Sequence, residues 1–254
     1  VGCRMGCRFC ASTIGGMVRN LDAGEMLGQI VTVNSDIGGQ GAVSNIVVMG
    51  SGEPLDNYDE LVRFLRLVNH PDGLNIGARN ITVSTCGLTD KIYRLAQENL
   101  QINLALSLHA PNDEIRRKLM PVANRYRLSD CIAALKSYIK TTGRRVTVEY
   151  IMIKGINDSL ENAEELRKLL AGMLCHVNLI PLNAVEEIGL SPSDKGVVNE
   201  FYTYLLKKGV SVTIRRELGS DISGACGQLR RKNLDTGGLY GYSRSDSHGE
   251  NKEQ

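Results

Sequence analysis

With 254 residues, 42% of them hydrophobic and 23% charged, the chain has the composition of an ordinary soluble globular protein, long enough for one sizeable core, and a single domain is expected. Thirty Lys and Arg against 28 Asp and Glu leave a net charge of +2, too small to argue for nucleic acid by itself, and with no Trp and 5% aromatics no stacking platform for single-stranded bases is evident. An odd count of seven cysteines, no signal peptide and no apolar run long enough to cross a bilayer argue against a secreted disulfide scaffold and a membrane span, and favour the cytosol.

The first stretch, Val1 to Thr13, sets Cys3, Cys7 and Cys10 at C-x3-C-x2-C spacing. Iron-sulfur clusters normally take four thiolates, so a loop offering three leaves one iron open to another ligand. A zinc site needs a further donor from Cys86, Cys131, Cys175, Cys226 or a histidine, and neither this spacing nor a second C-x2-C pair fits the usual zinc templates. Gly2 and Gly6, with the small Ala11 and Ser12, suit a backbone wrapped round a bulky inorganic core.

Asp22 with Glu25 forms a capping-box-like start, and Met26, Leu27, Ile30 and Val31 follow at helical spacing until Gly38-Gly39-Gln40-Gly41 breaks the chain. Asn45 to Met49 reads as a strand buried on both faces, ending in Gly50-Ser51-Gly52-Glu53-Pro54. A helix with Leu61, Phe64, Leu65 and Val68 on one stripe comes next. The alternation then repeats. Strand Asn80 to Thr85 precedes a helix from Thr89 carrying Ile92, Leu95 and Ala96. Strand Ile102 to Leu108 runs into His109-Ala110-Pro111 and a short helix around Glu114 to Leu119, stopped by Pro121. Ser129 is expected to cap a helix bearing Ile132, Leu135 and Ile139, with Gly143 ending it. Strand Arg145 to Ile153 leads to a helix with Ala163, Leu166 and Leu170. Strand His176 to Ile180 ends at Pro181-Leu182-Asn183 and is followed by a helix with Val197, Phe201 and Leu205 inward; Val210 to Ile214 is the last strand. From Arg231 to residue 254 the polar, Gly- and Ser-rich tail is expected to be disordered.

Strands alternating with helices imply βαβ units and a parallel sheet, open or curled into a barrel, a doubly wound sheet being equally compatible with the pattern. In both, ligands bind beyond the carboxyl ends of the strands. Glu53, Ser84, Ser107, His109 and Asn183 all fall at or just past such ends. Glu149, inside an otherwise apolar strand, is expected to point inward, with no role assigned. Cys226 lies in Gly219-Ser-Asp-Ile-Ser-Gly-Ala-Cys-Gly-Gln228, too glycine-rich for a core element, with Arg215, Arg216, Arg230 and Arg231 near in sequence to lower its pKa, which leaves a reactive thiol and an inert one equally open. Cys86, Cys131 and Cys175 read as packing residues. The basic groups Arg116-Arg117-Lys118, Arg144-Arg145, Lys207-Lys208, Arg215-Arg216 and Arg230-Arg231-Lys232 read as solvated faces and helix ends.

The cysteine motif is that of the radical S-adenosylmethionine (SAM) superfamily. The longer string Gly2-Cys-Arg-Met-Gly-Cys-Arg-Phe-Cys-Ala-Ser-Thr13, continued by Gly15-Gly16 and Arg19-Asn20-Leu21, resembles the RlmN/Cfr family of RNA adenine methyltransferases, as does Asp221-Ile-Ser-Gly-Ala-Cys-Gly-Gln-Leu229. The resemblance implies a partial (β/α)6 barrel over residues 1–230 lacking its first strand. It implies a [4Fe-4S] cluster on Cys3, Cys7 and Cys10, whose open iron chelates S-adenosylmethionine, with Gly52, Glu53, Ser84, Ser107, Leu108, His109 and Asn183 binding that cofactor. It makes Cys226 the methyl carrier: the thiol takes a methyl from one S-adenosylmethionine, and a 5'-deoxyadenosyl radical from a second activates that methyl for addition to an adenine carbon. The substrates implied are 23S rRNA and tRNA, methylated at C2, with C8 as the Cfr-type alternative and a zinc or RNA-binding module as the non-enzymatic one. A flavodoxin-type or other electron donor, a cytoplasmic monomer and phosphate contacts from the basic groups complete the implied picture. The family's resolving cysteine, proton-moving acid and N-terminal RNA-binding domain have no counterpart in residues 1–254, and an N-terminally truncated chain is expected.

Overall fold

The computed structural model describes residues 1–39, 41–183 and 189–215. Six strands, β1 (Ile46–Val48), β2 (Ile81–Thr85), β3 (Asn103–Ser107), β4 (Val146–Met152), β5 (Cys175–Pro181) and β6 (Val212–Ile214), form one sheet in the order β1-β2-β3-β4-β5-β6, every neighbouring pair parallel. The helices are α1 (Ala23–Ile37), α2 (Tyr58–Asn69), α3 (Thr89–Ala96), α4 (Asp113–Leu119), α5 (Leu128–Thr142), α6 (Leu160–Leu169) and α7 (Lys195–Lys207). Strand order decides between the two architectures left open by the sequence. A doubly wound sheet reverses its order at a switch point; here it never reverses, and right-handed crossovers in one direction put all helices on one face. The result is a singly wound, barrel-like sheet with a free inner face.

Along each strand, one set of residues lies under the helices and the other lies inside. Ile81, Val83, Leu104, Leu106, Val146, Val148, Tyr150, Val177 and Leu179 are buried in the core with Leu65, Leu95, Leu135, Leu166 and Phe201 of the helices. Thr82, Ser84, Ser107, Thr147, Glu149, His176, Asn178 and Thr213 alternate with them on the inner face.

Most expected elements form where the pattern puts them. The box of Asp22 and Glu25 closes reciprocally, Glu25 N–H donating to Asp22 Oδ1 (2.7 Å) and Asp22 N–H to Glu25 Oε2 (3.0 Å). Gly143 ends α5 at φ 66°, a left-handed conformation that favours glycine. Four details differ. Val31 is exposed on α1. Val47, expected inside a strand buried on both faces, is 65% exposed, because β1 is the edge of the described sheet and Val47 faces inward. Ser129 does not cap α5: the N-cap is Arg127, and the first turn is held instead by Leu128 N–H donating to Asp113 Oδ1 at 2.8 Å. On α7 the buried residue is Val198 rather than Val197. No helix among the described residues is long and apolar enough to cross a membrane. The expected tail, 231–254, lies outside the described residues.

Candidate active site

The cysteine loop closes on itself through local hydrogen bonds. Cys10 N–H donates to Cys7 O (3.1 Å), Thr13 Oγ1 to Cys10 O (2.8 Å), and Cys3 N–H to Gly16 O (3.1 Å). Gly2, at φ 82°, runs so near Gly16 O that a Cβ there would sit 2.2 Å from it, and Gly52 approaches Gly2 O closely enough that its Cβ would lie 3.0 Å away. Glycine is thus required on both strands of this approach, which brings the turn after β1 against the cysteine loop. On its other side the loop is tied to α4 by Arg8 N–H donating to Leu119 O (2.9 Å). Phe9, between two of the cysteines, packs edge-on against His109, ring centroids 4.8 Å apart. The loop therefore lies across the carboxyl ends of β2 and β3.

The three thiols sense one another. Burial pushes Cys7 up to about 12, with Cys10 and Cys3 adding to the rise, and burial likewise raises Cys3 against an opposing backbone hydrogen bond at Met5. Such thiols are neutral until a metal displaces their protons. Among the described residues no three His, Cys, Asp or Glu side chains converge as they would on a single metal ion. An all-sulfur donor set on one loop does suit the implied cluster, which spreads its thiolates over different irons and selects soft ligands.

Glu53 is half-buried, its Oε2 accepting from Cys86 N–H (2.7 Å) and its Oε1 from Leu55 N–H (3.0 Å). Burial raises its carboxyl, and these hydrogen bonds oppose the rise. A carboxylate fixed in this way has lone pairs left for an ammonium group. Ser84 and Ser107 face each other on the inner surface with hydroxyl oxygens 3.4 Å apart. Leu108 turns its side chain into the core; its N–H donates to Glu149 O (3.0 Å) and its carbonyl accepts from Arg116 Nε (3.3 Å). His109 is buried at φ 59° with Nδ1 accepting from Ile151 N–H (3.1 Å), and burial lowers its pKa to about 3, so the ring is neutral with its proton on Nε2. Asn183 stands two residues beyond β5. Parallel strands bring all these positions to one edge of the sheet.

A groove of about 480 Å³ opens beside Cys3, Gly52 and Glu53, walled otherwise by Val47, Met26 and Ile30. Ser84, Ser107, His109 and Asn183 do not line it. Cys226 lies outside the described residues. Cys86 and Cys131 are buried and Cys175 half-buried, as packing residues are.

Three features stand out here whose partners the sequence did not show. Glu149 points inward as expected, but its partner is the inner-face Asn178, whose Nδ2 donates to Glu149 Oε2 at 3.0 Å. The alternation His176-Val177-Asn178 was the available signal. Asn157, fully buried, donates to His109 O (2.8 Å) and Ile151 O (2.6 Å) and accepts from Ile153 N–H (2.8 Å), which fixes the turn that holds His109. Arg116, expected on a solvated face, is completely buried.

The radical SAM superfamily pattern matches residues 1–170. The chain is 55% identical over 231 residues to the probable dual-specificity RNA methyltransferase RlmN of Clostridium novyi, covering 91% of this chain and 67% of that protein. It is 57% identical over 232 residues to the protein of the same name from Clostridium tetani, covering 91% and 66%. The chain thus spans about two thirds of the length of these relatives. The crystal structure of a radical SAM methyltransferase from Sphaerobacter thermophilus superposes with a TM-score of 0.87 at 49% identity, over 91% of this chain and 68% of that one. Streptococcus suis SuiB, solved with S-adenosylmethionine, shares the fold at 16% identity and a TM-score of 0.64, over 88% of this chain and 50% of that one. The chain belongs to the radical SAM superfamily and, within it, to the RlmN family of RNA methyltransferases.

Proposed function

We propose that this radical SAM methyltransferase is the catalytic core, residues 1–230, of an enzyme that methylates C2 of adenine in 23S rRNA and in tRNA next to the anticodon. The relatives' names, dual-specificity RNA methyltransferase, support that substrate class. The observation that carries the reading is the seating of a three-thiol loop on the strand ends that bear Ser84 and Ser107, against the turn that bears Glu53.

In this reading Cys3, Cys7 and Cys10 hold the [4Fe-4S] cluster. When bound, the cluster and S-adenosylmethionine supply one-electron cleavage of the sulfonium and a carbon radical able to remove hydrogen from a methyl group. Glu53 receives the methionine ammonium, and Gly52 lets backbone come close. Ser84 and Ser107 offer hydroxyls to ribose or carboxylate; the Leu108 main chain and neutral His109 hold the end of β3, and Asn183 meets the nucleoside half. Cys226 carries the methyl as a thioether, because an aromatic adenine carbon is too weak a nucleophile to take it directly from a sulfonium. The reading includes a cytoplasmic monomer and a flavodoxin-type donor.

Two measurements test it. Anaerobic reconstitution with iron and sulfide should give a brown protein whose visible absorption is lost when Cys3, Cys7 or Cys10 becomes Ala; stoichiometric zinc without a cluster would sink the reading. Mass spectrometry of RNA treated with the complete protein should place the methyl at adenine C2 and find none with Cys226→Ala; a product at C8 overturns the regiochemistry.

A further inference from the structure

Arg116 sits in the last turn of α4 with none of its surface exposed. Its guanidinium donates to three backbone carbonyls, Cys86 O (2.7 Å, from Nη2), Tyr126 O (3.1 Å, from Nη1) and Leu108 O (3.3 Å, from Nε). No ion pair among the described residues includes it. An arginine stays charged at any attainable pH, and a buried charge without a counter-charge is costly even when its hydrogen bonds are made. Something at this place must therefore favour a cation.

The surroundings say what. Cys86 and Leu108 follow β2 and β3, the two strand ends over which the cysteine loop lies. The same short helix that carries Arg116 takes the loop's Arg8 N–H at Leu119 O, and Gly6 packs against Pro121 just beyond it. Glu53 is the other ionisable group bound to Cys86: it takes the amide of that residue while Arg116 takes its carbonyl. In the function proposed above Glu53 is matched by the ammonium group of the cofactor, which leaves the cluster as the anion for which Arg116 is the nearby cation. A cubane on three thiolates is a net anion, and one added electron makes it more so; the charge around such a cluster is among the terms that set its potential.

We propose that Arg116 is a positioning residue that sets the cluster's reduction potential: its permanently charged guanidinium, held by three carbonyls, two of them at the ends of β2 and β3, on the helix that ties down the cysteine loop, stabilises the reduced state. This rests on Cys3, Cys7 and Cys10 being the cluster ligands, and the experiment separates the two claims. Wild-type, Arg116→Lys and Arg116→Gln proteins are reconstituted anaerobically and titrated with redox mediators, following the electron paramagnetic resonance signal of the reduced cluster. Arg116→Gln should make reduction at least tenfold less favourable, a fall of 59 mV or more for a one-electron couple. Arg116→Lys should stay near wild type at neutral pH, then fall below it as rising pH strips the buried ammonium of its proton. If Arg116→Gln does not fold, the Lys variant alone decides. Unchanged potentials in cluster-bearing Gln protein, or parallel pH curves for Lys and Arg, overturn the proposal and leave Arg116 as a structural clamp. A wild-type protein with no reducible cluster sinks the ligand assignment instead.

Discussion

The two faces of one sheet follow opposite rules. Facing the helices, Leu104, Leu106, Val148, Tyr150, Val177 and Leu179 are fully buried hydrophobics or, for Tyr150, a ring whose hydroxyl donates to Asn157 O at 2.7 Å. Facing inward, Ser84, Ser107, Glu149, Asn178 and Thr213 form a row that follows the strand register, with Ser107 opposite Glu149, Glu149 opposite Asn178, and Asn178 opposite Thr213. Because side chains alternate along a strand, a single segment serves both purposes at adjacent residues. Apolar burial is concentrated on one face and polar groups on the other, and the two should be separable by mutation.

The sharpest test of that separation uses neighbours in β3. Leu106→Ala should destabilise the protein by about 2–5 kcal/mol, the usual range for an emptied leucine site in a core. Ser107→Ala, one residue on, removes only a long 3.4 Å contact with Ser84 and should cost less than about 1 kcal/mol. Denaturant melts of the two variants measure both. Equal losses would mean that the inner row is as structural as the outer one.

The same contrast explains what could be read from the sequence. The six strands were legible because each carries a short apolar or β-branched run, and the helices because their stripes repeat at 3.6 residues. The cysteine loop and the strand-end positions of Glu53, Ser84, Ser107, His109 and Asn183 were legible from spacing and from the rule on parallel strand ends. Arg116 was not: within Arg116-Arg117-Lys118 nothing local distinguishes the one arginine that turns inward, because its partners are carbonyls at residues 86, 108 and 126, all outside its own helix. Asn157 was hidden for the same reason. Val47 was misjudged because β-branched composition cannot tell an edge strand from a central one.

A smaller effect is expected at Glu149. Burial raises its carboxyl above the ordinary value of 4.5, with the Asn178 hydrogen bond opposing the rise. A raised pKa in the folded state means that this group's stabilising contribution is full below 4.5 and is lost as pH rises through the raised value. At neutral pH the charged carboxylate is therefore a cost, and Glu149→Gln, which keeps an acceptor for Asn178, should melt at or above the wild-type temperature. Thermal unfolding as a function of pH should show the advantage of Gln shrinking as the pH falls toward 4.5. A wild-type protein more stable than Glu149→Gln at pH 7 would place a cation against the carboxylate in solution, Arg215 being the one whose charge already lowers it.

The least effect should come from Val47, an exposed apolar residue on the inner face. At 65% exposure it already has most of its surface in water, so Val47→Thr, which keeps the branched shape that β1 favours, should change stability by no more than about 0.5 kcal/mol. The groove beside it sets Met26 and Ile30 against polar groups, Glu53, Asp56 and Asn57 among them. If Val47→Thr costs a full core residue's worth, the inner face at β1 is packed rather than open, and the polar row that begins at Ser84 is the floor of a smaller site than the sheet's width suggests. A silent substitution means that the inner face at β1 is open, as its exposure indicates.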